Sequence, residues 1–399
     1  MLSLAKAGDD NAKPDAFSFN AVINAFIYSP RNVIRDAGKR AESILERGLE
    51  FAEEDGGEMP SIKSFTSILG FYGRQTTVID SPYRAQYLLN RLIDLFKAGH
   101  THLSPHVSCF TNVMDAYAAQ RHKDAGECSE EILRSMIKLD KAYNASRIEV
   151  NTGVLNCVLQ SWAECIGHND AGTRAEHILD LMEKKTATGT YIMAPNSRSY
   201  NLVIRAWSKA PISKHPDKAK RALAVLERAK NSDLDVHLET IPSEYSYSLV
   251  LQACAFSEST DSITEKRAFK IAVDIMDELL HDVPVNRTEP SSATYGWFLL
   301  VCARMRLPEE AKEAHIRRVF SRCCEKGRVN EFVLENFKHA SSGALFRDLM
   351  PEHLRVTASS PDQKEEKDLK ALVQLPDLPQ SWITNKTGVA KRGPKQLSS

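Results

Sequence analysis

The sequence predicts an all-α protein, an α-solenoid of stacked helix-turn-helix repeats, and two observations carry that prediction. One amphipathic helical pattern recurs seven times along the 399 residues, with anchors 45 to 48 residues apart. No segment sustains the alternation of apolar and polar residues that a half-buried strand needs. A single helical hairpin cannot bury its own apolar face, whereas stacked hairpins share a continuous core.

The pattern is clearest at Pro195-Asn196-Ser197-Arg198-Ser199-Tyr200-Asn201-Leu202-Val203-Ile204-Arg205-Ala206-Trp207. Tyr200, Val203, Ile204 and Trp207 fall at i, i+3, i+4 and i+7, one face of a helix, and Asn196 after the proline is the candidate N-cap. The first copy is Pro14 with Phe19, Val22, Ile23 and Phe26; the second is Pro60 with Phe65, Ile68, Leu69 and Tyr72. The third is Pro105 with Phe110, Val113, Met114 and Tyr117; the fourth has Val150 for the proline, with Leu155, Val158, Leu159 and Trp162. The sixth is Pro242 with Tyr247, Val250, Leu251 and Cys254, and the seventh is Pro290 with Tyr295, Phe298, Leu299 and Cys302.

A second helix follows each copy. Its signatures are Arg40-Ala41, Arg84-Ala85, Arg174-Ala175 and Arg221-Ala222, each followed by an aliphatic pair, with Ser129 and Ala272 in the alanine's place elsewhere. A small residue one turn before a large aliphatic pair suits close helix packing. Gly48, Gly99, Gly189 and Gly327 lie near the expected ends of second helices, where a left-handed C-cap favours glycine. Four segments result: 1–13 as the end of a truncated upstream repeat, 14–328 as seven hairpins, 329–350 as a C-terminal capping helix, and 351–399 as a mobile tail. Met1 to Asp15 aligns without a gap on Leu92 to His106, so the chain is expected to start inside an earlier repeat. In the tail, Leu378 to Ile383 is either a short docking element or a segment in which Trp382 folds back onto the last hairpin.

Composition bounds the function. Formal net charge is zero, so the whole chain is no polycation seeking nucleic acid or acidic membrane. Eight cysteines form no C-x-x-C pair, and Cys157, Cys254 and Cys302 sit within the apolar pattern, which fits free thiols in a reducing compartment. No apolar run approaches the roughly 20 residues that span a bilayer.

A hairpin beginning Pro-Asp/Asn-x-x-Ser/Thr-Tyr/Phe-Asn resembles a pentatricopeptide repeat, best at Pro14 to Asn20 and Pro195 to Asn201. The likeness covers roughly residues 1 to 340, with units longer than the usual ~35 residues of such hairpins, as in pentatricopeptide proteins of algal type. The resemblance implies a right-handed superhelix that binds single-stranded RNA in a mitochondrion or plastid, about one base per repeat. It further implies roles in transcript processing, stability or translation, with a processing enzyme or a ribosome as further partners.

In that family two positions per unit read the base: the residue after the first-helix aromatic and the residue just after the next proline. Here the pairs are Asn20 with Ser61, Thr66 with His106, Thr111 with Asn151, Asn156 with Asn196, Asn201 with Ser243, and Ser248 with Ser291. By the family's scheme Thr111–Asn151 favours adenine and the asparagine pairs favour pyrimidines, while Thr66–His106 departs from the usual pairs and Gly296 offers no side chain. A third position, two before the aromatic, packs on bases; Phe17, Arg198 and Tyr245 suit stacking there, and Lys63 suits a phosphate. Each has a plainer role. Ser61, Asn151, Asn196, Ser243 and Ser291 are also good N-caps, the aromatics at Phe19 and its equivalents are core, and Lys214 to Arg221 is a solvated basic face.

Catalysis finds no support in the motifs. His237-Leu238-Glu239 supplies half of a zinc deaminase signature, but no C-x-x-C follows it. Phosphate-binding loops, nucleophile elbows and H-E-x-x-H are likewise missing from the sequence. The expectation is a non-enzyme with no cofactor, no metal, no small-molecule substrate and no membrane. The alternative is a protein-binding, tetratricopeptide-like solenoid scaffold, including an organelle ribosome-associated component.

Overall fold

Several first helices start at a side chain that accepts a backbone N–H, as at Asp15, Asn151, Asn196 and Ser291. In a computed structural model describing residues 12–29, 36–143, 148–232, 242–259, 261–281, 289–355 and 370–383, every described element is helical or an irregular connection. Four hairpins come first: α1 (Ala16–Ile27) with α2 (Ala37–Asp55), α3 (Ile62–Gly73) with α4 (Ser81–Lys97), α5 (Val107–Ala119) with α6 (Ala125–Tyr143), and α7 (Thr152–Glu164) with α8 (Ala171–Ala187). Then follow α9 (Ser197–Lys209) with α10 (Lys218–Lys230), α11 (Glu244–Ala255) with α12 (Ser262–Leu280), and α13 (Ser292–Arg304) with α14 (Glu309–Glu325). Shorter helices α15 (Glu331–Ala340), α16 (Gly343–Leu349) and α17 (Glu352–Arg355) succeed them. Among the described residues no helix is long and apolar enough to cross a membrane. The chain divides into two units, Met1–Ala206 and Trp207–Ser399.

Within the first unit α1 packs on α3, α3 on α5 and α5 on α7; within the second, α11 packs on α13 and α13 on α15. Thus first helices form a layer, and the face at Phe65, Ile68, Leu69 and Tyr72 is buried, as are its equivalents in later copies. The first copy differs: Phe19 and Ile23 are buried, but Val22 is 43% exposed and Phe26 only half-buried. In later copies these two places are covered by the preceding hairpin. Gly99, Gly189 and Gly327 take left-handed φ values of 104°, 89° and 63° after second helices. Gly48 does not. It lies inside α2, where a Cβ would press on Pro60 and Phe19, and the left-handed cap is Gly56.

Neighbouring hairpins are joined by a device built on the Arg-Ala signature. Gly38 on α2 sits beneath Tyr72 of α3, leaving no room for a Cβ. The Tyr72 hydroxyl donates to Glu42, and Glu42 also takes Arg84 of α4. The arrangement recurs two hairpins later: Gly126 lies under Trp162, whose indole N–H donates to Glu130 at 3.0 Å, and Arg174 Nε donates to the same carboxylate at 3.2 Å. Between these two junctions Gln86 replaces the glutamate and Cys128 replaces the arginine, so both charges are lost together. There the Tyr117 hydroxyl is hydrogen-bonded to the Cys128 thiol instead. A lone arginine or glutamate at such a half-buried place would be left without its counter-charge.

Two lysines close first-helix C-termini. Lys218 Nζ donates to the Ser208 and Ala210 carbonyls at 3.0 and 2.9 Å, and Lys312 Nζ donates to Cys302 and Met305 at 3.0 and 3.3 Å. These are carbonyls that the helix itself leaves open.

The expected capping helix is the first half of a further, shortened hairpin. Asn330 caps α15 as Asn151 caps α7, accepting from Val333 N–H at 2.9 Å. The Phe332 ring fills the space where a Gly296 side chain would stand. In the tail, the second of the two readings of Leu378 to Ile383 matches the packing of Trp382. Residues 370–383 lie against the last hairpins, with Val373 and Leu378 buried and Trp382 edge-on to Phe320 at 6.1 Å. Val373, Leu378 and Trp382 are its inward-facing apolar side chains, whereas Leu372 of the same segment is exposed. The expected repeat fragment at 1–11, the His237-Leu238-Glu239 coincidence, and the tail at 356–369 and 384–399 lie outside the described residues.

Candidate nucleic-acid interface

The interface expected from the sequence is the line of first-helix N-terminal turns. Capping geometry sorts its members. Asn151 Oδ1 accepts from Val154 N–H at 3.1 Å, Asn196 Oδ1 from Ser199 N–H at 3.1 Å, and Ser291 Oγ from Ala293 N–H at 3.2 Å. These three therefore act as N-caps. Ser61 stands at the N-cap of α3 without a capping bond, and His106 uses its Nδ1 on Ser108 Oγ at 2.9 Å. At Ser243 the backbone N–H donates to Ser246 Oγ at 3.1 Å.

Two of the sequence-expected pairs meet. Asn156 Nδ2 donates to Asn196 Oδ1 at 3.3 Å, and Ser199 Oγ donates to Asn156 Oδ1 at 2.7 Å. Asn156 is only 4% exposed, so its amide is held between these neighbours. Ser248 and Ser291 meet through Glu244, whose Oε1 accepts from Ser248 Oγ at 3.0 Å and Ser291 Oγ at 2.6 Å. Thr294 Oγ1 donates to the same oxygen and lies 2.9 Å from Ser248 Oγ. Ser199 and Thr294 hold equivalent places, one residue before the aromatic. The sequence reading passed them over, although the recurring Ser or Thr at Ser18, Ser64, Ser199, Ser246 and Thr294 is visible in the repeat.

The other pairs differ. Asn20 Oδ1 and Ser64 Oγ occupy the places of Asn156 and Ser199, and both atoms are buried without a partner. Asn201 Oδ1 is likewise buried without a partner. Thr66 and Thr111 are half-buried, and Thr66 Oγ1 donates back to the Lys63 carbonyl at 3.0 Å. No hydrogen bond joins Thr111 to Asn151 among the described residues; Val154 stands where that junction lacks the hydroxyl, as Cys109 does one hairpin earlier. Asn201 and Ser243 belong to different units.

The third position is the most open. Phe17 is 78% exposed and Tyr245 47%, while Lys63, Gly153, Arg198 and Ala293 are also exposed; Ser108 is half-buried. In five of the seven copies a solvent-facing side chain therefore stands beside the N-cap, and in four of them it is aromatic or cationic.

Charge along this surface is mixed. Burial raises the Asp115 carboxyl above its usual range, with Arg198 opposing and Cys157 hydrogen-bonded to it. Glu164 is 7% exposed and holds Arg205 at 2.7 Å. Burial pushes the Cys157 thiol up to about 12 and Cys109 to about 11, which leaves both protonated and poorly nucleophilic near neutrality. Among the described residues no group of three or more His, Cys, Asp or Glu side chains is placed to hold a metal ion.

No model of a known protein family matches this chain, and no curated protein matches its sequence.

Proposed function

We propose that the hairpins form an α-solenoid, a right-handed superhelix of pentatricopeptide type, that binds single-stranded RNA without chemistry of its own. It would act in transcript processing, stability or translation in a mitochondrion or plastid, alone or by recruiting a processing enzyme or ribosome. The observation that carries this reading is the exposed residue beside most first-helix N-caps, with Phe17, Lys63, Arg198 and Tyr245 suited to bases or phosphates. Support also comes from the close approach of Asn156 to Asn196, two residues the repeat scheme pairs. The test is selection from a pool of short single-stranded RNAs at near-physiological salt, where non-specific phosphate contacts weaken. One enriched motif is expected, and Asn201→Asp should change its preference at one base. Equal retention of duplex, or no motif, would overturn base reading.

A second reading, a protein-binding scaffold, is favoured by a specific observation. The amide of Asn156 and the hydroxyls of Ser248 and Ser291 are engaged by their own neighbours, and Asp115 on α5 and Glu164 on α7 place carboxylates on first helices. Retention of a protein partner by RNase-treated chain, with no RNA motif, is the outcome that selects it.

A further inference from the structure

The last hairpins carry a surface that the chain covers with its own residues 370–383. Its floor is an aromatic row: Phe346 lies 5.4 Å from Phe337, Phe337 stacks on Phe320 at 3.7 Å, and Trp382 meets Phe320 edge-on. The covering segment is tied by few bonds. Val329 N–H donates to the Trp382 carbonyl at 2.9 Å, His353 Nε2 lies 3.1 Å from the Asp377 carbonyl, and Lys370 Nζ donates to the Ser341 carbonyl. Only Val373 and Leu378 are buried, Trp382 is half-buried, and most of the remaining side chains are exposed. Pro376 lies inside a 3-10 turn, Leu375–Asp377, and Pro379 just precedes a helical turn, Gln380–Ile383, so the two prolines restrict the backbone between its anchors. This is how a short peptide sits on a folded surface, with a few apolar anchors, a main-chain bond and prolines that limit the entropy lost on docking.

We propose that this surface is a peptide-binding groove occupied in cis by residues 370–383, and that it accepts in trans a short, proline-containing segment with the same aliphatic, aliphatic and tryptophan anchors. The covalent connection sets a local concentration on the order of millimolar, so a competing peptide meets a groove already filled. An outside ligand therefore binds appreciably only when it carries better anchors or when the chain's own anchors are removed.

The test uses the full chain and a fluorescent peptide of sequence 370–383. The Leu378→Ala/Trp382→Ala chain is expected to bind the peptide at least tenfold more tightly than the wild type, and a peptide carrying Trp382→Ala should fail to bind either. Equal binding by both chains, or no binding by a variant of unchanged helicity, overturns the proposal. Should the variant lose helicity, hydrogen exchange of the wild type decides the matter. The Val329 amide, bonded to Trp382, should exchange at least tenfold faster than the Val319 amide within α14. Exchange of the two at one common rate would make the segment part of the core and sink the idea.

Discussion

Glu130 on the third hairpin holds both the guanidinium of Arg174 and the indole N–H of Trp162, which belong to the fourth. One carboxylate thus serves two donors on its neighbour, and the Arg174 guanidinium carbon also lies 5.8 Å from the Trp162 ring centre. Glu130→Gln should lower stability by about 1–3 kcal/mol, since it leaves a partly buried guanidinium with a neutral partner. Adding Arg174→Cys should return about 1 kcal/mol, because the chain itself uses glutamine and cysteine together at Gln86 and Cys128. Urea denaturation of the two single variants and the double variant measures the coupling, and strict additivity would remove the clamp from the account.

Gly126→Ala is expected to destabilise by about 1–3 kcal/mol, because the new Cβ overlaps the Trp162 ring. Helix propensity alone predicts the opposite sign, a gain of about 0.5–1 kcal/mol. The midpoint of thermal unfolding separates the two.

Lys218 gives a pH test. Burial lowers its pKa from 10.5 to about 8. Below pH 8 both folded and unfolded chains carry the proton, and the buried charge costs stability. Between about 8 and 10.5 the unfolded chain keeps the proton and the folded chain releases it, so this group's contribution becomes more favourable as pH rises. The stability of the wild type relative to Lys218→Met should therefore increase by on the order of 2 kcal/mol from pH 7.5 to pH 10. The Cys254 thiol, which faces Lys218, is pushed up to about 12 and stays protonated across that range. Chemical denaturation at the two pH values reads the difference.

Asn156→Ala and Arg198→Ala should separate the two jobs of the N-terminal turns. The first removes the partner of Ser199 and Asn196 and should cost about 1–2 kcal/mol of stability. The second alters an exposed side chain, should stay within about 0.5 kcal/mol of wild type, and should weaken single-stranded RNA binding several-fold. Unchanged RNA retention by Arg198→Ala would argue for the scaffold reading.

The first helices and their core faces were legible because Phe65, Ile68, Leu69 and Tyr72 and their equivalents repeat one helical period behind a capping residue. The junctions were less so. Glu42 and Arg84 are far apart in sequence, and their pairing depends on which hairpin stacks on which. Yet Gly-x-x-x-Glu at Gly38, Gly126 and Gly172, broken at Pro82 and Gln86, was there to be read. Gly48 misled because a glycine near a helix end can serve a close approach as readily as a left-handed turn. At the interface, pairing was anticipated for Asn156 and Asn196, but the role of Ser199 between them was not, since a hydroxyl reveals its partner only once the helices are placed. Leu378 to Ile383 was legible as a short element with two possible roles, and only the placed last hairpins show Trp382 against Phe320 and Val373 buried in the same segment.

The neutral junction between the second and third hairpins has a mechanical meaning. Its ties are the Tyr117–Cys128 contact, the Tyr83 hydroxyl 2.9 Å from His122 Nε2, and Gln120 donating to the Gln75 and Val78 carbonyls. The carboxylate–guanidinium pairs on either side are partly buried, so added salt screens them only in part, and it acts still less on the middle joint's hydrogen bonds. Stiffness along the four-hairpin run therefore has two origins, charge at the first and third joints and the uncharged side chains of Tyr117 and Cys128 at the middle one.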